Sequence, residues 1–452
     1  VLHGSPKGEI SVTMQYVKFL MKKFPEHAWT VEQIGVNPSR IVNSRGVFDG
    51  IIDDVRKADV VLWSFPVYHL LVPAQMKRFI ELVEERGAAK AFKGKYAAAL
   101  MTSIHYYDHT ARNYIHAVSE DLGMKFSGAF TPKMDDLSLK DVQRSFLDFF
   151  SQLISECAEK SALPVSYPAA EMKPFTYKFA KAKAKINPEN LKIRIVYDGS
   201  SANAKAMAGR VGSLFDSAVS ADLSELDIKG GCLGCLQCGL RGECAYDGKD
   251  GYKEFHRSMI LDADVIFFIG EMRDRYLSSR FKMFFDRSFY RNHMPAYEGK
   301  QIAWIISGPL GGNPNLRQIL ETYPETSHGN SAGFVSDESR NQKNIDAQID
   351  ALASRAVSLA LKKYVPAETF LGNAGRRLFR EEVWGHLGIV FAQDRKCFRK
   401  KKMFDFPWKK LSNWTIVPFA SLILRVPSIR RGFNKHLKKG MIQGLEKIVA
   451  NA

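Results

Sequence analysis

Ala58-Asp59-Val60-Val61-Leu62-Trp63 leads to Met76-Lys77-Arg78-Phe79-Ile80-Glu81, and Ala263-Asp264-Val265-Ile266-Phe267-Phe268 leads to Phe281-Lys282-Met283-Phe284-Phe285-Asp286. The two passages keep a constant offset of 205 residues, from 58 to 263 and from 76 to 281. Each is an apolar run of strand length, a turn and a helical stretch, so one supersecondary unit occurs twice. Outward from these passages, apolar runs recur at Tyr96–Met101 in the first copy and at Ile193–Tyr197 and Ile302–Ile306 in the second. Continuously apolar strands alternating with helices belong to parallel sheets covered on both faces. The sequence therefore predicts an α/β chain with two tandem doubly wound parallel-sheet domains, whose ligand site lies in the loops just after the strands.

A chain of 452 residues exceeds what one core organises. The repeat places the domains at residues 1–165 and 190–365, and Pro366, Gly372 and Gly375 mark the start of a third region, 366–452, expected to be mainly helical. A composition of 45% hydrophobic and 25% charged residues is that of an ordinary globular protein and excludes a disordered or fibrous one. The opening Val1-Leu2-His3-Gly4 reads as the end of a first strand, with no visible signal segment, and a cytoplasmic location is the expectation.

Three loops stand where a ligand is expected. The first, His3 to Thr13, places Ser5, Lys7, Ser11, Val12 and Thr13 before a helical stretch beginning at Met14. Small residues, hydroxyls and a cation at a helix start suit a phosphate; Ser and Thr acting only as helix caps explain the same letters. The second is Ser64-Phe65-Pro66-Val67-Tyr68-His69, followed by Val72-Pro73-Ala74-Gln75-Met76-Lys77-Arg78-Phe79. The third is Thr102-Ser103-Ile104-His105-Tyr106-Tyr107.

These loops resemble those of the NAD(P)H-dependent FMN reductase branch of the flavodoxin-like superfamily. That family has a Gly-Ser-Pro-Arg followed by Ser-Asn-Thr, and later a Pro-Val-Tyr followed by a helix with Lys-x-Phe. The resemblance implies FMN as cofactor, with Ser5, Lys7, Ser11, Val12 and Thr13 at its phosphate. Pro66, Val67, Tyr68 and His69 would line its ring, and Thr102, Ser103 and Ile104 would form the third flavin loop. Lys7 stands where the family often has Arg, and Val12 replaces an Asn whose side-chain hydrogen bond is then lost. Tyr68, His69 and His105 are the candidates for proton supply at the flavin face, since imidazole titrates near neutrality; as a bland alternative they pack the pocket rim. No Gly-x-Gly-x-x-Gly follows any strand, so NAD(P)H as donor rests on the resemblance.

The second copy keeps a Gly/Ser-rich first loop, Asp198-Gly199-Ser200-Ser201, but carries Glu271 and Arg273 where the first has Pro66 and Tyr68. Acidic residues are unfavourable beside an anionic cofactor, so its flavin platform reads as degraded. Between Gly199 and Ala263 it also holds an insertion containing Cys232, Cys235, Cys238 and Cys244. Three cysteines at two-residue spacing with a fourth nearby, interleaved with Gly231, Gly234, Gly239 and Gly242, can turn four thiolates to one point. The spacing is similar to that of the iron-sulfur flavoproteins, which implies a 4Fe-4S cluster beside FMN. Zinc and a metal-free vestige remain open.

The net charge of +17 is concentrated at the end: residues 391–452 carry 15 Lys and Arg against 3 acidic residues, hence +12 of it. The Trp414–Leu424 stretch is too short, and broken by Pro418, to span a bilayer. Its flanking cations, with Trp408, Trp414 and Phe419, fit either a surface-lying anchor at the inner membrane face or an extension packed on the other domains. Nucleic acid ranks below both, because no reader module accompanies the charge.

The expected function is a flavin-dependent oxidoreductase passing electrons between an iron-sulfur cluster and FMN to a small-molecule acceptor. The alternatives are an electron carrier docking to a protein or membrane partner, and a cluster-free NAD(P)H:FMN or quinone reductase. A ferredoxin-like donor and a homo-oligomer stay open as partners.

Overall fold

A computed structural model describes residues 1–170, 173–291, 293–404, 411–433 and 436, and leaves aside the side chains of residues 386, 411–414 and 417. Trp408 and the cations at 409, 410, 435, 438 and 439, together with the Trp414 side chain, lie outside this description. The chain divides into two compact units, Val1–Lys396 and Cys397–Ala452.

Two parallel sheets form the first unit. β1 (Leu2–His3), β2 (Val60–Pro66), β3 (Tyr96–Thr102) and β4 (Lys125–Phe130) lie in that order, and a parallel bridge from Leu2 to Glu32 marks a remnant edge beyond β1. The second sheet comprises β5 (Ile193–Tyr197), β6 (Val219–Asp222), β7 (Val265–Glu271), β8 (Gln301–Ser307) and β9 (Asn330–Ser336), in the order β6-β5-β7-β8-β9. This is the flavodoxin-like 2-1-3-4-5 order. β3 and β8 are buried at every residue, as strands with helices on both faces must be.

The two halves share a core. One apolar cluster runs from Phe48, Phe79 and Val83 in the first half to Phe281, Phe285 and Trp304 in the second. It passes through the paired helices Ala74–Glu85 and Ser279–Ser288, the repeated elements of the sequence.

Their contact is reciprocal. Asp286 Oδ2 accepts the Ala74 N–H at 2.8 Å, and Glu81 Oε1 accepts the Ser279 N–H at 2.5 Å, so each helix's carboxylate caps the other helix's first turn. Ala74 and Ser279, like Glu81 and Asp286, are equivalent positions in the repeat. First-turn amides have no partner within their own helix, and buried they need one from outside. The carboxylates are neutralised along their own helices by Lys77, 2.7 Å from Glu81, and by Lys282, which pairs with Asp286. Lys77 also reaches Asp274 at 3.0 Å, whereas Lys282 donates to the Tyr68 carbonyl at 2.8 Å. The repeat thus folds as an intramolecular pseudo-twofold pair.

The third region contributes helices Phe370–Trp384 and Ala392–Lys400, and Leu411–Ile423 lies in the second unit. Ile416, Phe419 and Leu422 of that last helix are exposed. Among the described residues no helix is long and apolar enough to cross a membrane.

Candidate flavin site

The three loops of the first half converge on one cavity of about 260 Å³. Ser5, Lys7, Ser11, Val12 and Thr13 line it from the first loop, Pro66, Val67, Tyr68 and His69 from the second, and Thr102, Ser103 and Ile104 from the third. His105 does not. Its ring is half exposed and pairs with Asp108 through Nδ1 at 2.9 Å, outside the cavity wall.

The first loop is held from below by His3, which is fully buried and bridges Ser64 Oγ at 3.1 Å and Ser11 Oγ at 3.0 Å. Burial pushes its imidazole down to about 4, so near neutrality it is uncharged, with one ring nitrogen donating and the other accepting. Ser11 caps the Val12–Lys23 helix by accepting the Met14 N–H at 3.1 Å. Its hydroxyl therefore serves the cap, the bland reading of this loop. The cap leaves the Val12 and Thr13 amides at the positive end of the helix, beside Lys7. Thr13 Oγ1 lies 2.5 Å from Thr102 Oγ1 and ties the first loop to the third.

The second loop is a tight turn in which Tyr68 and Leu71 exchange backbone hydrogen bonds at 2.9 and 3.1 Å. His69 and Leu70 occupy its corner at φ +43° and +71°, the left-handed pair of a type I′ turn without a glycine. Such strain persists only where the surroundings hold it. Here the Lys282 ammonium holds the Tyr68 carbonyl, and Thr110 Oγ1 donates to the Leu70 carbonyl at 2.6 Å. The His69 ring packs on Tyr323, with centroids 5.3 Å apart. Burial, then Lys282 and His293, hold His69 well below the usual imidazole range, and burial, then Cys232, Asp286 and Cys235, push the Tyr68 phenol well up. Near neutrality both are uncharged.

The rest of the wall comes from the second half and the third region: Cys232, Gly234 and Leu236, then Asp286, Phe289 and His293, then Tyr323, Thr326 and Ser327, and lastly Phe379, Leu387, Val390 and Phe391. Of these, the sequence reading singled out Cys232 and Gly234 within the cysteine loop and Asp286 within the repeated helix, and did not find the others. Many lie more than 150 positions from the flavin loops and meet them only through the pseudo-twofold pairing. The one available signal is that Phe289 and His293 closely follow the repeated helix. Close approach explains two glycines: a Cβ at Gly234, φ +61°, would fall 1.9 Å from Tyr68 Oη, and one at Gly239 would fall 2.3 Å from the Val390 carbonyl oxygen.

The four loop cysteines line one small cavity of about 30 Å³ beside the first. Among the described residues, however, no three His, Cys, Asp or Glu side chains gather closely enough to hold a metal ion. Burial pushes the Cys232 thiol up to about 12 and the Cys238 thiol up to about 11. The Gly234 N–H donates to Cys232 Sγ at 3.4 Å. As they stand the four side chains surround a void and do not form a closed metal centre among the described residues.

In the second half the corresponding loops, after β5 and after β8, are filled by their own carboxylates. Asp222 accepts the Gly199 N–H at 2.8 Å, Asp198 accepts the Ser200 N–H at 3.1 Å, and Asp337 accepts the Gly308 N–H at 2.8 Å. A bound phosphate would compete with three carboxylates for these donors.

Residues 1–130 match the family of NADPH-dependent FMN reductases. The first half is an FMN-dependent oxidoreductase domain. No curated protein matches the chain. Among solved structures, the chain is similar to the FMN complex of general stress protein 14 from Treponema denticola at 16% identity, covering 34% of this chain and 95% of that one with a TM-score of 0.27. An FMN-bound NADH-azoreductase from Bacillus anthracis matches at 10% identity over 36% of this chain and 98% of that one, with a TM-score of 0.25. A protein from P. pentosaceus titled NADPH-quinone reductase matches at 15% identity over 36% and 97%, with a TM-score of 0.26.

Proposed function

We propose that the two halves build a single flavin site, in which the first half (1–165) holds FMN and the second half (190–365), with the start of the third region, closes over it. The chain is then a reductase carrying electrons from NAD(P)H to a small-molecule acceptor. The observation that carries this reading is that the twelve loop residues pointing to FMN line one cavity whose remaining wall comes from the rest of the chain.

FMN, when bound, supplies hydride and single-electron transfer. Lys7 and the Val12 and Thr13 amides would hold its phosphate, and Pro66 to His69 would set its ring plane. Phe289, Phe379 and Phe391 would exclude water from the ring. Tyr68 and His69, neutral near pH 7, act as hydrogen-bond partners. Titration of the apoprotein with FMN, followed by fluorescence quenching, tests the reading: one site per chain is expected, and no saturable binding would refute it. Reduction of the loaded protein by a protein donor but not by NAD(P)H would move it to the electron-carrier class.

A second reading keeps an iron-sulfur cluster on Cys232, Cys235, Cys238 and Cys244. What favours it is that all four line one cavity, and that Asp286 and Phe289 border both this cavity and the flavin cavity. It requires the loop to tighten around the metal. Anaerobic purification with iron and sulfide analysis separates the readings: about four of each per chain supports the cluster, and their absence leaves a cluster-free reductase.

A further inference from the structure

His293 and Asp394 belong to segments the flavin reading did not use, yet they meet at the cavity wall. The His293 ring packs tilted by 30° against Phe379 and edge-on against Tyr106, Phe289 and Phe391. Asp394 is fully buried and accepts the His293 backbone N–H through Oδ1 at 2.9 Å. Its other oxygen, Oδ2, lies 4.0 Å from His293 Nδ1. Both atoms are buried, and neither has a hydrogen-bond partner among the described residues.

An unsatisfied buried carboxylate oxygen is costly, so two such atoms facing each other are a hydrogen bond left slightly open. A shift of about 1 Å would close it to hydrogen-bond length. Nδ1–H would then be fixed on Asp394, leaving Nε2 to the cavity. His69, the other histidine of the wall, has no carboxylate partner and sits near the Lys282 cation, so it is poorly placed to carry a proton.

We infer that His293 is the proton-transfer residue of this site for acceptors that must be protonated on reduction, and that Asp394 positions it. This rests on the flavin reading above. A carbonyl acceptor that receives a hydride, two electrons and a proton drawn originally from NAD(P)H, is left as an oxyanion. The Nε2–H bond of the His293 imidazolium breaks, an O–H bond forms on the acceptor, and the neutral imidazole regains a proton from water once product leaves. A one-electron acceptor such as ferricyanide takes up no proton and does not need this step.

The test compares wild type with His293→Gln and Asp394→Asn. After FMN loading, the ratio of benzoquinone to ferricyanide turnover should fall about 10²- to 10⁴-fold in His293→Gln, the usual range for a lost general acid. An unchanged ratio with normal FMN binding overturns the inference and leaves the flavin reading standing. Failure of the wild type to bind FMN overturns both. Independently of activity, ¹⁵N NMR of the wild-type apoprotein, taken at a pH high enough to deprotonate the ring, should show His293 as a single Nδ1–H tautomer that becomes mixed in Asp394→Asn. A mixed tautomer already in the wild type also overturns the inference, even if His293→Gln fails to fold.

Discussion

Replacing Asp286 by Ala should destabilise the chain more than replacing Glu81 by Ala, although the two occupy equivalent positions. Each substitution uncaps the partner helix, at Ala74 in one case and at Ser279 in the other. They differ in what happens to the lysine. Without Glu81, the buried Lys77 keeps Asp274 at 3.0 Å. The loss is then mainly the charge-assisted hydrogen bonds from the Ser279 N–H and hydroxyl, about 2–3 kcal/mol. Without Asp286, the fully buried Lys282 faces only the Tyr68 carbonyl, and an uncompensated buried cation costs about 3–5 kcal/mol. Burial pushes the Asp286 carboxyl up to about 6 and holds the Lys282 ammonium below its ordinary value, so the variants are compared by urea unfolding at one fixed pH above 6. Because one apolar core runs through both helices, each variant should unfold in a single transition common to both halves. Equal costs, the reverse order, or separate transitions for the halves would refute this account of the interface. The double variant Lys282→Met/Asp286→Leu should recover most of the loss, since removing a buried pair together is far cheaper than orphaning one member.

Lys7→Ala should weaken FMN binding by about 1–3 kcal/mol, the worth of a charged hydrogen bond, while leaving riboflavin, which lacks the phosphate, unaffected in parallel titrations. Gly234→Ala forces a methyl to within 1.9 Å of Tyr68 Oη at a left-handed backbone position. It should lower FMN affinity about tenfold or more with the circular dichroism spectrum retained, and equal affinity would count against closure of the cavity by the cysteine loop. Acid should destabilise the fold through two buried histidines, His3 at about 4 and His256 at about 3, both lowered chiefly by burial. In the unfolded chain histidine titrates near 6.5. The stability from keeping both neutral is therefore complete above that pH and falls as pH drops toward 4, by about 3 kcal/mol for each. Urea midpoints at pH 7 and pH 4.5 check this, and His256→Gln should flatten the difference.

The elements that carry long apolar runs were legible in the sequence. β2, β3, β7 and β8 are parallel strands buried along nearly their whole length, and burial on both faces writes itself as runs rich in Val, Ile, Leu, Ala and Phe; β5 keeps most of that signal despite Arg194. β6 was not legible, because an edge strand reading Val-Ser-Ala-Asp has no apolar run, and neither β4 nor β9 is continuously buried. The flavin loops were legible because they follow directly on strands, and they carry the family's letters in order. His105 carried the same chemistry as His69 on paper, but the left-handed backbone at His105, φ +64°, accompanies a ring turned to Asp108 and solvent. The far wall was illegible for a different reason. Residues such as His293, Tyr323 and Phe391 reach the cavity through tertiary contact, which no local pattern encodes. The cysteines show the limit of spacing as a guide: Cys232, Cys235, Cys238 and Cys244 line one void, yet among the described residues no three metal-binding side chains gather at one ion.

The reciprocal capping of the two repeated helices has a consequence for stoichiometry. Two identical subunits meeting across a twofold axis must offer two identical sites, and any insertion in one appears in both. Joining the two copies in one chain removes that obligation. Carboxylates can fill one phosphate loop while its twin stays open, and an insertion can grow on one side only, to become the roof of its neighbour. Ligand saturation should then follow a simple hyperbola with one equivalent per polypeptide, free of the site-to-site cooperativity open to a symmetric dimer.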